Sequence, residues 1–239
     1  GYGYSSDNND IDLSEAELED GTTYRSGDDM FGESVSLHGR WLAVGGKEVN
    51  ALNGESSTGA VFLYSYSDTG LSDGTLQAII GDGYTGGNNV SEDLYANDYF
   101  GADVSLFTND EGNGQLVVSA GGEDGFEDTN KSQNGWVKGA LYLYSFNDVS
   151  FAGLTRESRI GAGATGANEI DLSAGIQIGF DADNLADQLS AVSLSEGADG
   201  STRLAVGLKG SDGHNNAESN AGDVLLFTFN DAADKDFSG

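Results

Sequence analysis

Residues 59–66 read GAVFLYSY, residues 139–146 read GALYLYSF and residues 222–229 read GDVLLFTF. Within each stretch, apolar and aromatic residues alternate with period two. Val61, Leu63 and Ser65 fall on one face, and Phe62, Tyr64 and Tyr66 on the other. This pattern, rich in β-branched and aromatic residues, predicts a strand. Two largely apolar faces predict a strand central to its sheet, in sheets that stack on one another.

Two further elements repeat in the same order ahead of this strand. Phe31-Gly32-Glu33-Ser34-Val35-Ser36-Leu37 recurs as Phe100-Gly101-Ala102-Asp103-Val104-Ser105-Leu106, and more loosely as Gln188-Leu189-Ser190-Ala191-Val192-Ser193-Leu194. Leu42-Ala43-Val44-Gly45 recurs as Leu116-Val117-Val118-Ser119 and Leu204-Ala205-Val206-Gly207. The glycine ending the second strand predicts a close approach that leaves no room for a side chain. Hairpin loops are expected at His38-Gly39-Arg40, at Asn109 to Gln115 and at Glu196 to Thr202. A fourth strand is expected at Leu76–Gly81 and at Leu154–Ile160, with no counterpart after residue 229. Ala16–Gly21 aligns with Ala78–Gly83, so residues 13–21 are expected to supply the fourth strand of the last sheet. Gly161 to Gly175 reads as a Gly/Ala-rich insertion. The expected fold is all-β: one repeat domain over 1–239, with units at about 22–83, 84–163 and 176–239 plus strand 13–21. Each unit would be a four-stranded antiparallel sheet.

Composition narrows the function. The chain of 239 residues holds 40 acidic and 10 basic side chains, a net charge of −30. Such a surface repels nucleic acid and anionic lipid and attracts cations. No apolar stretch approaches the ~20 residues that span a bilayer. Cys and Pro are absent, which excludes a disulfide framework and thiolate metal sites. There is no Gly-x-Ser-x-Gly elbow, P-loop or His-Glu-x-x-His, and His38 and His214 lie in loops of different units without a matched nucleophile. Asn89-Val90-Ser91 and Asn130-Lys131-Ser132 fit the glycosylation pattern, in keeping with a secreted or cell-surface protein.

The run FGESVSLHGRWLAVGG followed by GAVFLYSY resembles the FG-GAP repeat of integrin-type β-propellers, whose relatives occur in very large microbial surface proteins. The likeness extends over about residues 13 to 239 and weakens in the third unit, where Gln188-Leu189 replaces Phe-Gly. It implies one four-stranded blade per unit. Three blades are fewer than the ~4–8 that usually close a propeller, so a threefold prism, part of a longer propeller and completion by neighbours all remain open. The resemblance also implies calcium in the loop between first and second strands. Asn109, Glu111 and Asn113 would be its oxygen ligands, with Gly114 at the turn. A second acidic cluster, Asp181, Asp183 and Asp187, and a third, Asp7, Asp10 and Asp12, are further cation candidates, because neighbouring carboxylates without a cation repel. Trp136, in a Gly-rich loop, is the candidate for stacking on a sugar ring, whereas Trp41 opens an inner strand and reads as core. The expected function is a non-enzymatic extracellular structural or adhesive module that assembles with copies of itself by strand exchange or binds a cell-surface or matrix component. A calcium-dependent carbohydrate-binding module and an acid hydrolase are the alternatives.

Overall fold

The structure is a computed structural model that describes residues 29–109, 112–126, 138–166, 168–172, 188–211, 218, 221–230 and 237. The described residues contain thirteen strands and no helix, in three sheets. The first sheet holds β1 (Phe31–His38), β2 (Trp41–Gly46), β3 (Ala60–Ser65), β4 (Thr75–Gly81) and β5 (Val90–Ser91), in that order. The second holds β6 (Phe100–Thr108), β7 (Gly114–Ala120), β8 (Ala140–Phe146), β9 (Thr155–Gly161) and β10 (Ile170–Asp171). The third holds β11 (Gln188–Glu196), β12 (Thr202–Lys209) and β13 (Asp223–Phe229).

The repeated sequence elements become repeated strands with matched registers. Each of β1, β6 and β11 carries a register shift near its start: between Phe31 and Ser34, between Phe100 and Asp103, and between Leu189 and Ala191. A bulge bends the strand and increases its twist, so the three sheets share one local distortion. Gly39, with φ 59°, opens the two-residue turn that pairs His38 with Trp41.

The first two sheets differ from the expected four strands. A short fifth strand pairs in parallel with the fourth, Ile80 beside Val90 and Ile160 beside Ile170. Residues 161–172 are therefore no insertion but the counterpart of 81–92. Gly83 N–H donates to Ser91 Oγ at 3.1 Å, and Gly163 N–H to Asp171 Oδ1 at 2.8 Å. Glu92 N–H and Leu172 N–H return to the carbonyls of Gly81 and Gly161, both at 3.2 Å. Two residues of pairing leave almost no periodicity in sequence, which is why the strand is invisible there. The segment 13–21 lies outside the described residues.

The three sheets stack in chain order. β6 lies across β1 and β2, and β11 across β6 and β7. Val61, Leu63 and Ala43 bury against Phe100, Val104 and Leu106 from the second sheet, along with Tyr142 and Tyr144. On the second sheet's other face, Val117, Leu141 and Leu143 bury against Leu189, Leu204, Val206 and Leu225. The Phe-Gly pair sits in the first of these seams. Phe100 is wholly buried, edge-on to Tyr142 with centroids 5.2 Å apart. A Cβ built on Gly45 would lie 2.0 Å from the Gly101 carbonyl oxygen, so the predicted close approach at the end of β2 is a backbone-to-backbone contact. β13 departs from its equivalents: Val224 and Leu226 are 67% and 79% exposed, although Val61, Leu63, Leu141 and Leu143, at the same positions, are fully buried.

Candidate functional site

A recurring set of side-chain hydrogen bonds spans the seams between sheets. Leu106 N–H donates to Ser36 Oγ at 2.9 Å, and Leu194 N–H to Ser105 Oγ at 2.8 Å. Ser36 and Ser105 hold the same position in Val-Ser-Leu of successive units. β1, β6 and β11 are each the edge strand of their sheet, and an edge strand presents backbone groups without a ladder partner. Here the serine of one sheet satisfies the edge N–H of the next. Asp103 accepts Val192 N–H at 2.7 Å in the same manner, and Ser34 Oγ donates to the Gly101 carbonyl at 2.9 Å. Thr108 N–H donates to His38 Nδ1 at 3.2 Å, with its hydroxyl 2.6 Å from the same nitrogen. Nδ1 thus accepts the Thr108 N–H across the seam. In the second seam the Thr202 hydroxyl donates to Gln115 Oε1 at 2.6 Å.

Glu92, a nearly fully buried carboxylate, follows β5 of the first sheet and reaches into the second. Its Oε1 accepts the Tyr144 hydroxyl at 2.9 Å, and its Oε2 pairs with Arg156. Burial raises its pKa, opposed by the charge of Arg156 and the Tyr144 hydrogen bond. Tyr142, one ladder step away on β8, donates to Glu123 Oε2 at 3.1 Å. Nearby, the Arg159 guanidinium lies 4.1 Å above the Phe126 ring and binds Glu169 at 2.6 Å. Burial works against the Glu169 carboxylate, yet Arg159 and the N–H groups of Gly166 and Thr165 hold its pKa below the usual value. Glu92 and Glu123 are both almost fully buried. With both Glu92 oxygens engaged, this group ties two sheets together.

The residues singled out in sequence fare differently. Asn109 Oδ1 accepts Asn113 N–H at 3.0 Å, while Asn109 N–H donates to the Asn113 carbonyl at 2.9 Å. The loop is therefore closed by its own amide, with Gly112 at φ 87° as its turn glycine. Gly114 is not in the turn: it begins β7, where a Cβ would fall 1.9 Å from the Phe146 ring. The corresponding loop of the third sheet is closed by Asp199, which accepts from the Ser201 hydroxyl at 2.6 Å and has its pKa lowered by that bond. Asn89 Oδ1 accepts Ile79 N–H at 2.7 Å, so the side chain of this glycosylation candidate braces the return from β4 to β5. Trp41 packs against the first seam with Arg40 5.4 Å from its ring. Among the described residues its indole N–H and the Tyr64 hydroxyl are buried without a partner. Glu111, Asp7, Asp10, Asp12, Asn130, Trp136, Asp181, Asp183, Asp187 and His214 lie outside the described residues. Among the described residues no group of three His, Cys, Asp or Glu side chains converges where a metal ion could bind. No helix among them is long and apolar enough to cross a membrane.

No protein-family model matches the chain, and no curated protein matches it. Among solved structures it is similar to the α-L-arabinofuranosidase PaAbf62A from Podospora anserina, in complex with cellotriose, at 14% identity and a TM-score of 0.29. The match covers 87% of this chain and 66% of that one, a likeness too slight to carry a functional argument.

Proposed function

We propose that the protein is a non-enzymatic extracellular structural or adhesive module built from FG-GAP-like units, acting through copies of itself or a cell-surface or matrix component. One observation carries the reading: the polar side chains that recur from unit to unit, Ser36 and Ser105 foremost, are spent on joining sheets. The buried carboxylates Glu92 and Glu123 are likewise bonded to tyrosines across or within the stack. A hydrolase working with two carboxylates needs them beside a cleft that admits substrate and water. In this reading each unit is a propeller-like blade of four main strands, and residues 13–21 complete the third. Calcium would add to the fold through the Asn109–Asn113 loop and the Asp181, Asp183 and Asp187 cluster. The acidic surface suits saline surroundings, where counter-ions screen it.

The test combines a panel of polysaccharides with electron microscopy of the protein in salt, with and without calcium. Polymers or retention on a matrix component, with no sugar released, are the expected result. Release of reducing sugar would overturn the reading. Calcium-dependent retention on one polysaccharide, without assembly, would favour a carbohydrate-binding module instead. A calcium-dependent rise in melting temperature is expected, since a ligand of the folded state stabilises it.

A further inference from the structure

At each end of the stack half of a repeated contact stands exposed: at the first sheet it is carried by β1, while Val44, Phe62 and Tyr64 across the ladder on the same face are buried, and at the third by the outward face of β11 to β13. At its start, β1 presents Val35 and Leu37, 64% and 52% exposed. Their equivalents Val104 and Leu106 are buried against the preceding sheet. At the other end, Val224 and Leu226 are exposed, whereas Leu141 and Leu143 at the same positions are buried against the following sheet. Beside Leu226 runs an open groove of about 380 Å³ along β11 to β13, lined by Ser193, Ser195, Ala205 and Leu226, with Arg203 at its edge. Ser193 stands where Ser36 and Ser105 stand in the other two sheets, and Ala205 where Ala43 buries in the first seam.

We propose that the last sheet of one copy receives the β1 edge of a second copy, repeating the contact that β6 and β11 already make internally. The proposal rests on the self-assembling reading above and names its partner and its surface. Ser193 Oγ of one copy would accept Leu37 N–H of the next, as Ser36 accepts Leu106 N–H and Ser105 accepts Leu194 N–H. Val35 and Leu37 would enter the groove beside Ala205, Leu226 and Val224. The two faces differ, so the contact is head-to-tail rather than two-fold symmetric. A net charge of −30 on each copy opposes association. At about 1 M salt the screening length falls to roughly 3 Å, and the apolar faces then govern.

The decisive experiment uses two variants of the full chain, Leu37→Glu and Leu226→Glu. Both positions are exposed in the single chain, so circular dichroism and melting should match wild type. By sedimentation in about 1 M KCl, wild type should form species of two or more copies, and each variant alone should be a 24.8 kDa monomer. An equimolar mixture of the variants should form dimers and stop there, because only one intact head and one intact tail remain. Wild type that stays monomeric in salt would overturn the proposal. So would a variant that assembles like wild type, or a mixture that stays monomeric, which is what a symmetric contact or a face covered by the chain's own segments would give. A chain that assembles as described but releases sugar would overturn the non-enzymatic reading and leave this contact standing. A monomer that binds a matrix polymer would do the reverse.

Discussion

The second sheet and the third share one strand pattern and live in different surroundings. Leu143 and Leu226 occupy the same place in the same strand type, flanked by Tyr142 and Tyr144 in one case and Leu225 and Phe227 in the other. Leu143 is fully buried between two sheets, and Leu226 faces outward. The strand pattern therefore sets which way each side chain points, and the neighbouring sheet sets whether burial follows. The burial of an apolar residue here is a property of the stack.

The largest expected effect tests that statement directly. Leu143→Ala removes atoms packed on every side and should destabilise the chain by about 2–5 kcal/mol. Leu226→Ala should change stability by less than about 0.5 kcal/mol. Urea titrations of the two variants at fixed salt make the comparison, and equal losses would show that the third sheet's outer face is covered in the single chain. The second comparison uses glycine. Gly45→Ala drives a methyl group into the Gly101 carbonyl and should cost about 1–3 kcal/mol as overpacking. Gly207→Ala, whose added Cβ would meet nothing nearer than the Ala191 side chain at 3.4 Å, should be nearly neutral.

The tie between the first two sheets gives a prediction in pH. Glu92→Ala leaves the buried Tyr144 hydroxyl without its acceptor and should cost about 1–3 kcal/mol. Burial holds the Glu92 pKa above its ordinary 4.5, so the folded state binds this proton more tightly than the unfolded chain does. Stability from this group is then greatest at acid pH and falls as pH rises from about 4.5 through the folded-state pKa. Glu92→Gln abolishes the titration. The melting temperature of wild type should drop more steeply than that of the Gln variant between pH 4.5 and neutrality, and parallel curves would show that this carboxylate is not desolvated.

The smallest effect concerns the serine ladder. Ser105→Ala leaves Leu194 N–H without its acceptor and should cost about 0.5–1.5 kcal/mol. Ser193→Ala should leave the melting of the monomer unchanged and weaken only self-association. A loss of monomer stability at Ser193 equal to that at Ser105 would mean that Ser193 already serves a contact within its own chain.

Much of the architecture can be read from residues alone, because alternation and repetition are local properties. The third strands expected at 60–66, 140–146 and 223–229 are β3, β8 and β13 to within a residue. The turn at Gly39 and the tight end of β2 at Gly45 follow from glycine's lack of a Cβ, which is written in the sequence itself. Val-Ser-Leu also carries a signal: a serine kept between two apolar residues in three units marks a repeated polar task. What that task is cannot be read there, since the acceptor and the N–H it serves are about 70 to 89 residues apart. The same holds for Glu92, whose partners Tyr144 and Arg156 belong to another sheet. It holds for Gly114, where the reason for glycine is the ring of Phe146 across the ladder. The residues alone determine the main strands, their order along the chain and their two faces, because each depends on neighbours along the chain; the bulges and the short strands β5 and β10 come from the folded ladders. The tertiary structure alone decided which faces meet and which carboxylates are buried as ties. It also decided that Val35 and Leu37 of β1 and Val224 and Leu226 of β13 stand exposed while their equivalents in the second sheet are buried, because burial depends on what stands opposite in space.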